Sequence, residues 1–256
     1  MKFIVKHAKT RFLVLVCLTI FYYVCKIMLN HKITYVNIIV QIISVNLTNV
    51  KWGANMITKE QLIVRIKNAC AAVIGAEAEL TEIDSRFGDA DHGFTMSKIA
   101  NTILGSVDGA ENIQEMLDNA ACAVMGINGG SAVPLWNTWL DGLQEHSVAA
   151  DSMTVEQVKE MFQGAYEELY DMSTAEVGDK TMMDSLVPAT KAIQAWEGDI
   201  DGLFEAAAKA AEEGAENSKN FVSRFGRARS YGEQTIGTPD AGAVSMKYFF
   251  VGLAKK

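Results

Sequence analysis

The chain has 256 residues, enough for one large domain or two small ones; three prolines and no Ser/Gly-rich or Pro-rich tract leave no interior linker that argues for two. Residues 1–55 carry seven Lys/Arg and no acid, so residues 56–256 hold 16 bases against 31 acids, a net of −15. A body of that sign repels a phosphate backbone, which argues against nucleic-acid binding and means that a bound nucleotide needs a cation or backbone N–H groups to hold it.

The N-terminal stretch comes first. Phe12 to Cys25 is a 14-residue uncharged, mostly apolar run, short of the ~20 residues of a spanning helix. Three readings compete for residues 1–55. One is a signal-anchor with a basic flank. Another is a secretory signal peptide, against which no small-x-small cleavage site follows the run. The third, which the abrupt change from basic to acidic favours, is a start placed upstream of the functional protein. Met56 then opens Thr58-Lys59-Glu60-Gln61, a capping-box-like helix start. The expected domain is therefore 56–256, with 1–55 as an N-terminal extension outside the fold, and a membrane is involved only if 1–55 is genuine.

From Thr58 onward helical spacing dominates. Leu62, Ile66, Ala69, Val73 and Ala76 recur at three- and four-residue intervals, which predicts a first helix over about 59–82. Further amphipathic stretches follow at about 94–106, 111–126, 132–146, 154–172, 180–196, 199–220 and 240–254. Alternating β-branched runs are nearly absent, so the fold class is all-α with about eight helices. Four glycine-marked segments separate them: Gly88–Gly93, Gly126–Leu135, Gly178–Thr181 and Gly226–Gly242. In an up-and-down array, loops at one end converge on a single site. Trp136 and Trp139 read as core or interface, and His146 as an exposed helix end. The four cysteines have neither metal nor disulfide spacing, which fits a reducing, cytoplasmic setting.

The chemistry sits in the first of these loops. Asp84, Asp89 and Asp91, with glycines that allow a tight turn, bring together three carboxylates that resist common ionisation unless a cation shares them. A hard divalent ion such as Mg²⁺ suits an all-oxygen set and keeps positions open for phosphate oxygens and water. His92 can donate to a phosphate oxygen. Asp-rich turns are also common as solvated caps. The spacing and the missing Glu at position 12 exclude an EF-hand.

Leu80-Thr81-Glu82-Ile83-Asp84, followed by Gly88-Asp89-Ala90-Asp91-His92-Gly93 and Met96, resembles the signature of the nucleotide-binding L subunit of dihydroxyacetone kinases. The resemblance continues in family order through Gly129-Gly130-Ser131, Gly178-Asp179-Lys180-Thr181-Met182-Met183-Asp184, Gly226-Arg227-Ala228 and Asp240-Ala241-Gly242-Ala243, and it spans about residues 58–254. It implies an eight-helix antiparallel barrel with nucleotide at one end. It further implies Mg²⁺ held by Asp84, Asp89 and Asp91, and His92, Gly93, Phe94 and Thr95 against the phosphates of ADP (or ATP). Backbone donors at Gly129, Gly130 and Ser131 would sit at a helix N-terminus, and Met182 would lie on the adenine. Ala132, Ser173, Arg227 and Asp240-Ala241-Gly242 would complete the pocket.

The same resemblance implies a kinase subunit whose ketose is held on a separate K subunit, rephosphorylated by a phosphohistidine (M) protein, and itself a homodimer. Departures from the pattern bear on this. Ala132 and Val133 replace a hydroxyl donor and a glycine in the phosphate cradle, Ser173 stands where relatives often have glycine, and Arg227-Ala228-Arg229-Ser230-Tyr231-Gly232 alters the usual order. A short ketose other than dihydroxyacetone therefore stays open as the substrate. Two alternatives remain: an ATP-dependent kinase nucleotide domain, and a non-catalytic nucleotide-sensing regulator. Lys180 and Asp179 have the simpler reading of helix caps, and Arg227 and Arg229 of surface charges.

Overall fold

The computed structural model describes residues 55–256; the expectations for residues 1–54, membrane anchor and misplaced start alike, lie outside the described residues. Two three-residue strands pair antiparallel, β1 (Met56–Thr58) with β2 (Ser152–Thr154) in the register Met56 to Thr154. Each strand ends in a threonine that caps the next helix. Thr58 and Gln61 form a reciprocal capping box at α1 (Lys59–Gly75), and Thr154 and Gln157 form a second at α6 (Val155–Ser173). The polar start expected at 151–154 is therefore strand and cap together.

The helix predicted over 59–82 is two helices. Gly75 ends α1, Ala76 takes a non-helical ψ of 2°, and α2 (Glu77–Ser85) continues from it. Next come α3 (His92–Leu104), α4 (Ile113–Met125), capped by the Asn112 side chain, and α5 (Ala132–Glu145). After α6 come α7 (Met183–Ala195), α8 (Ile200–Asn217), capped by Asp199, and α9 (Ala241–Leu253), capped by Asp240. Two 3₁₀ segments, Ser218–Asn220 and Arg227–Thr235, lie between α8 and α9.

Each helix packs on its neighbours in chain order, from α3 through α9, with α1 against both α3 and α9; the ring of eight is closed and α2 lies along α3. Successive helices of the ring run antiparallel, by short links except between α8 and α9, where the two 3₁₀ segments lie. The loops α2–α3, α4–α5, α6–α7 and α8–α9 thus share one end, while the strands and both chain ends of the domain share the other.

The ring encloses an aromatic core. Trp139 stacks edge-on to Trp136 at 5.5 Å and to Phe249 at 5.4 Å, with Phe162, Phe204 and Phe250 alongside. Edge-to-face pairs at such distances add about 1 kcal/mol each beyond the area they bury. Both tryptophans are core residues. His146 caps α5 and reaches Glu168 with Nε2 at 3.2 Å. Close helix contacts set the ring: a Cβ at Gly142 would lie 2.7 Å from the Ala165 Cα, and one at Gly252 would lie 2.3 Å from the Ala69 Cα. The closing seam between first and last helices is locked by Arg65, whose guanidinium donates to the Leu253 carbonyl at the end of α9 and pairs with Asp201 of α8.

Candidate functional site

The site is built at the end where the four loops meet. Asp84 stands in the last turn of α2, and its Oδ2 accepts the backbone N–H of Asp91 at 3.1 Å and of His92 at 3.4 Å. The acidic loop therefore folds back onto its own first carboxylate. Gly88 makes this possible, since a Cβ there would lie 2.0 Å from Asp84 Oδ1. Ala90 takes a left-handed φ of 61°, a conformation that costs a residue with a Cβ about 1 kcal/mol. Asp91 occupies the N-cap of α3 but makes no side-chain cap bond, so its carboxylate is left for another partner.

As a result, one carboxylate oxygen each from Asp84, Asp89 and Asp91 lies within 4.8 Å of the others. Three anions this close repel unless a cation or a proton intervenes. The oxygen-only donor set and the spacing fit a hard divalent cation that keeps part of its shell for phosphate or water. Arg227, from the 3₁₀ segment Arg227–Thr235, pairs its Nη1 with Asp89 Oδ2. The same segment lays Tyr231 on Phe87 at 5.2 Å between ring centroids. Arg227 is an exposed charge, and its partner is one of the three acidic-loop carboxylates.

The other expected residues divide into two groups. Gly130 faces the acidic loop, since a Cβ on it would be 3.9 Å from Asp91 Oδ2. Ser131 is the N-cap of α5 and makes no side-chain cap bond, and Ala132 is its first helical residue. Thr95 is buried, and its methyl would be 3.3 Å from a Cβ on Gly129. The helix N-terminus expected at Gly129-Gly130-Ser131 is thus beside the acidic triad. Met182 and Gly242 meet across the α6–α7 and α8–α9 loops, where a Cβ on Gly242 would be 3.4 Å from the Met182 Cβ.

Several side chains have other duties. His92 does not present Nε2 to the loop. The Ser245 hydroxyl gives its proton to the Gly242 carbonyl at 2.9 Å and so accepts from Nε2 at 3.2 Å. Burial lowers the His92 pKa, with Asp84 and the Ala241 backbone opposing it. Gly93 serves packing: a Cβ there would be 2.1 Å from the Glu77 carbonyl, so it lets α3 touch α2. Phe94 is 65% exposed and faces an outer groove of about 480 Å³ with Ser97 and Lys98. Ser173 ends α6, and its Oγ accepts the Ala175 N–H at 3.3 Å.

Lys180 and its neighbours carry more than sequence reasoning gave them. Lys180 meets the C-terminal end of α8, whose C-cap residue is Ser218, and does more than cap it. It is buried, in a left-handed turn with φ of 61°, and its Nζ donates to the carbonyls of Ser218 at 2.7 Å and Thr238 at 2.5 Å. Asp184, also buried, accepts the N–H groups of Gly178 at 2.6 Å and Thr181 at 2.7 Å. Asp179 anchors Arg224 through side chain and backbone. Asp240 caps α9 by accepting from Ala243 at 2.8 Å, and desolvation pushes its carboxyl up to about 7 against the pull of these N–H groups and of Lys180. The sequence signal for this cluster was three ionisable residues packed into Gly178–Asp184. Their carbonyl partners lie some 40 and 60 residues on, beyond any local pattern.

A model of the DAK2 domain matches residues 86–255. The chain is 32% identical over 200 residues to the ADP-binding subunit DhaL of the PEP-dependent dihydroxyacetone kinase of Escherichia coli, covering 75% of this chain and 94% of that one. It is 31% identical to the L-erythrulose 1-kinase of Mycolicibacterium smegmatis, over 70% of this chain and 32% of that enzyme. The crystal structure of the dihydroxyacetone kinase of C. freundii shares the fold, with a TM-score of 0.57 at 22% identity, over 75% of this chain and 34% of that one. The chain therefore spans nearly all of the bacterial subunit but only about a third of the longer kinases. Among the described residues no helix is long and apolar enough to cross a membrane. On the domain match and the identity to DhaL, the chain belongs to the DAK2-domain family, that of the nucleotide-binding L subunits of dihydroxyacetone kinases.

Proposed function

We propose that residues 56–256 form the ADP- and Mg²⁺-binding L subunit of a phosphotransferase-linked kinase for dihydroxyacetone or a related short ketose. The observation that carries this reading is the acidic triad, with its oxygens within 4.8 Å, at the end of the ring where the four glycine-marked loops meet. Asp84, Asp89 and Asp91 hold the cation. A magnesium–nucleotide here supplies charge neutralisation for a phosphoryl group in transit, chemistry that needs placement and charge more than a nucleophile from the protein. The chain's own residues do the placing. Asp84 is fixed by two backbone N–H groups, Arg227 brings a positive charge beside Asp89, and the N-terminus of α5 offers unpaired N–H groups to an anion. Met182 and Gly242 form the wall for the base.

The ketose is held on a separate K subunit and the donor is a phosphohistidine protein. The 32% identity to the ADP-binding subunit DhaL of a PEP-dependent kinase supports this reading. Similarity to erythrulose kinases and to a yeast dihydroxyacetone kinase supports the second reading, an ATP-dependent kinase part that exchanges nucleotide. One experiment separates them. The purified chain is denatured and assayed for ADP and Mg²⁺, then reloaded and offered a phosphohistidine donor or ATP, with a K-type partner and ketose. Retained ADP rephosphorylated only by the protein donor is expected, with loss of Mg²⁺-dependent nucleotide binding in Asp91→Asn. Turnover through free ATP exchange selects the second reading. Nucleotide binding unchanged by Asp91→Asn overturns both.

A further inference from the structure

Outside the acidic triad, the Lys180 ammonium is a buried charge held by main-chain carbonyls. A lysine is seldom fully buried, because desolvation of its charge costs several kcal/mol unless partners replace the lost water. Lys180 is 4% exposed, and burial lowers its pKa while Asp240 and Asp184 raise it. Two of its three protons go to main-chain carbonyls that belong to different segments: Ser218 after α8 and Thr238 before α9. The turn that carries it is held by Asp184 through Gly178 and Thr181, and Asp240 is tied back by its own N–H to the Ser218 hydroxyl at 2.9 Å. Three segments, 178–184, 218 and 238–240, therefore converge on one cation. Met182 stands two residues beyond Lys180, and Gly242 four residues beyond Thr238.

This cluster is separate from the loop that holds the acidic triad. The acidic loop is organised by Asp84, its own backbone and the Gly88 contact, and no hydrogen bond or ion pair joins Lys180, Asp184 or Asp240 to Asp84, Asp89 or Asp91 among the described residues. The site thus has two halves with separate polar anchors, joined through His92, whose N–H meets Asp84 and whose Nε2 meets the Ser245 hydroxyl beside Gly242.

We propose that Lys180 is a positioning residue for the nucleotide base: it touches no ligand, and by clamping the Ser218 and Thr238 carbonyls it fixes the Met182–Gly242 wall, so that the base half of the site depends on it and the phosphate–metal half does not. This rests on the nucleotide reading above and adds the residue that shapes the base pocket. Removal of the clamp lets the two loops separate, so the wall must be ordered again each time a base binds.

The test compares two ligands on the full chain, Mg²⁺–ADP and Mg²⁺–pyrophosphate, by titration calorimetry. Lys180→Met is expected to weaken ADP by about tenfold, the size of coupling that repacking between loops commonly carries, and to leave pyrophosphate within twofold of wild type. An equal loss for both ligands, or for neither, overturns the proposal. Asp240→Asn keeps an N-cap oxygen but removes a counter-charge of Lys180; it is expected to weaken ADP by a smaller factor with pyrophosphate again unchanged, and it carries the test if Lys180→Met does not fold. Should wild type bind neither ligand, the nucleotide reading itself fails. The clamp is then judged by hydrogen exchange, where Lys180→Met must raise exchange in 178–182 and 235–242 and spare 86–93. Uniformly raised exchange overturns it.

Discussion

At the scale of single residues, charge is placed in two different ways. The triad is three exposed or half-exposed carboxylates left to be shared by a cation, whereas Asp240 is a carboxylate enclosed against Asp184, Lys180 and the first N–H groups of α9. Its carboxyl is pushed up to about 7 from an ordinary 3.8, with desolvation the first cause and Asp184 adding to it. A folded state that holds a proton more tightly than the unfolded chain loses stability as pH rises between the two values. Over pH 4 to 7 this one group therefore costs stability, and above 7 its contribution is flat. Since the residue is only partly buried, the shift is discounted to about 2 kcal/mol over that window. Asp240→Asn retains a good N-cap and removes the titration. Denaturant unfolding at a series of pH values is expected to show the variant gaining about 2 kcal/mol on wild type between pH 4 and 7, then holding constant. A difference independent of pH would refute the assignment.

At the scale of elements, the ring depends on glycines that let backbones touch. Pro188 inside α7 has no N–H to offer the Asp184 carbonyl, and α8 closes on that spot through Gly214, where a Cβ would come 2.0 Å from the Asp184 oxygen and 3.1 Å from the Ser185 Cα. Both obstacles are main chain and cannot swing away. Gly214→Ala is expected to cost about 1–3 kcal/mol by the ordinary penalty of overpacking, measured by denaturant unfolding, and to weaken ADP more than pyrophosphate because Asp184 moves with α7. Gly75, with nothing within 4 Å of its would-be Cβ, is the control: Gly75→Ala is expected to be neutral or stabilising by about 0.5 kcal/mol. Equal costs at the two positions would show that helix contact is not what Gly214 serves. Spacing made about eight helices legible, because each amphipathic stripe faces one common core and the side-chain caps, from Thr58 to Asp240, are local, while the closed ring came from the family resemblance. Spacing missed the break at Ala76, which falls inside an unbroken apolar rhythm. The acidic loop was legible too, being contained within eight residues. Lys180 was not, because its meaning lies in carbonyls of Ser218 and Thr238, and backbone carbonyls leave no mark in a sequence.

At the scale of the whole molecule, the domain from residue 56 onward carries a net of −15, and the full chain remains at −8. A magnesium–nucleotide complex is an anion and approaches against that field; free Mg²⁺ approaches with it. Screening acts on the two in opposite senses. Between about 10 mM and 150 mM salt the Debye length falls from about 30 Å to about 8 Å, less than the width of the ring of helices. The long-range repulsion of Mg²⁺–ADP is then largely removed, while the short-range contacts of Arg227 and the α5 N-terminus persist. Stopped-flow measurement on the full chain is expected to show the association rate of Mg²⁺–ADP rising a few-fold over that range. Calorimetry should show the affinity for free Mg²⁺ falling over the same range, because the attraction of the triad for a bare cation is screened. If both quantities fell together, the local positive charge around Arg227 would outweigh the acidic body in steering the nucleotide, and the field of the whole domain would have no part in loading the site.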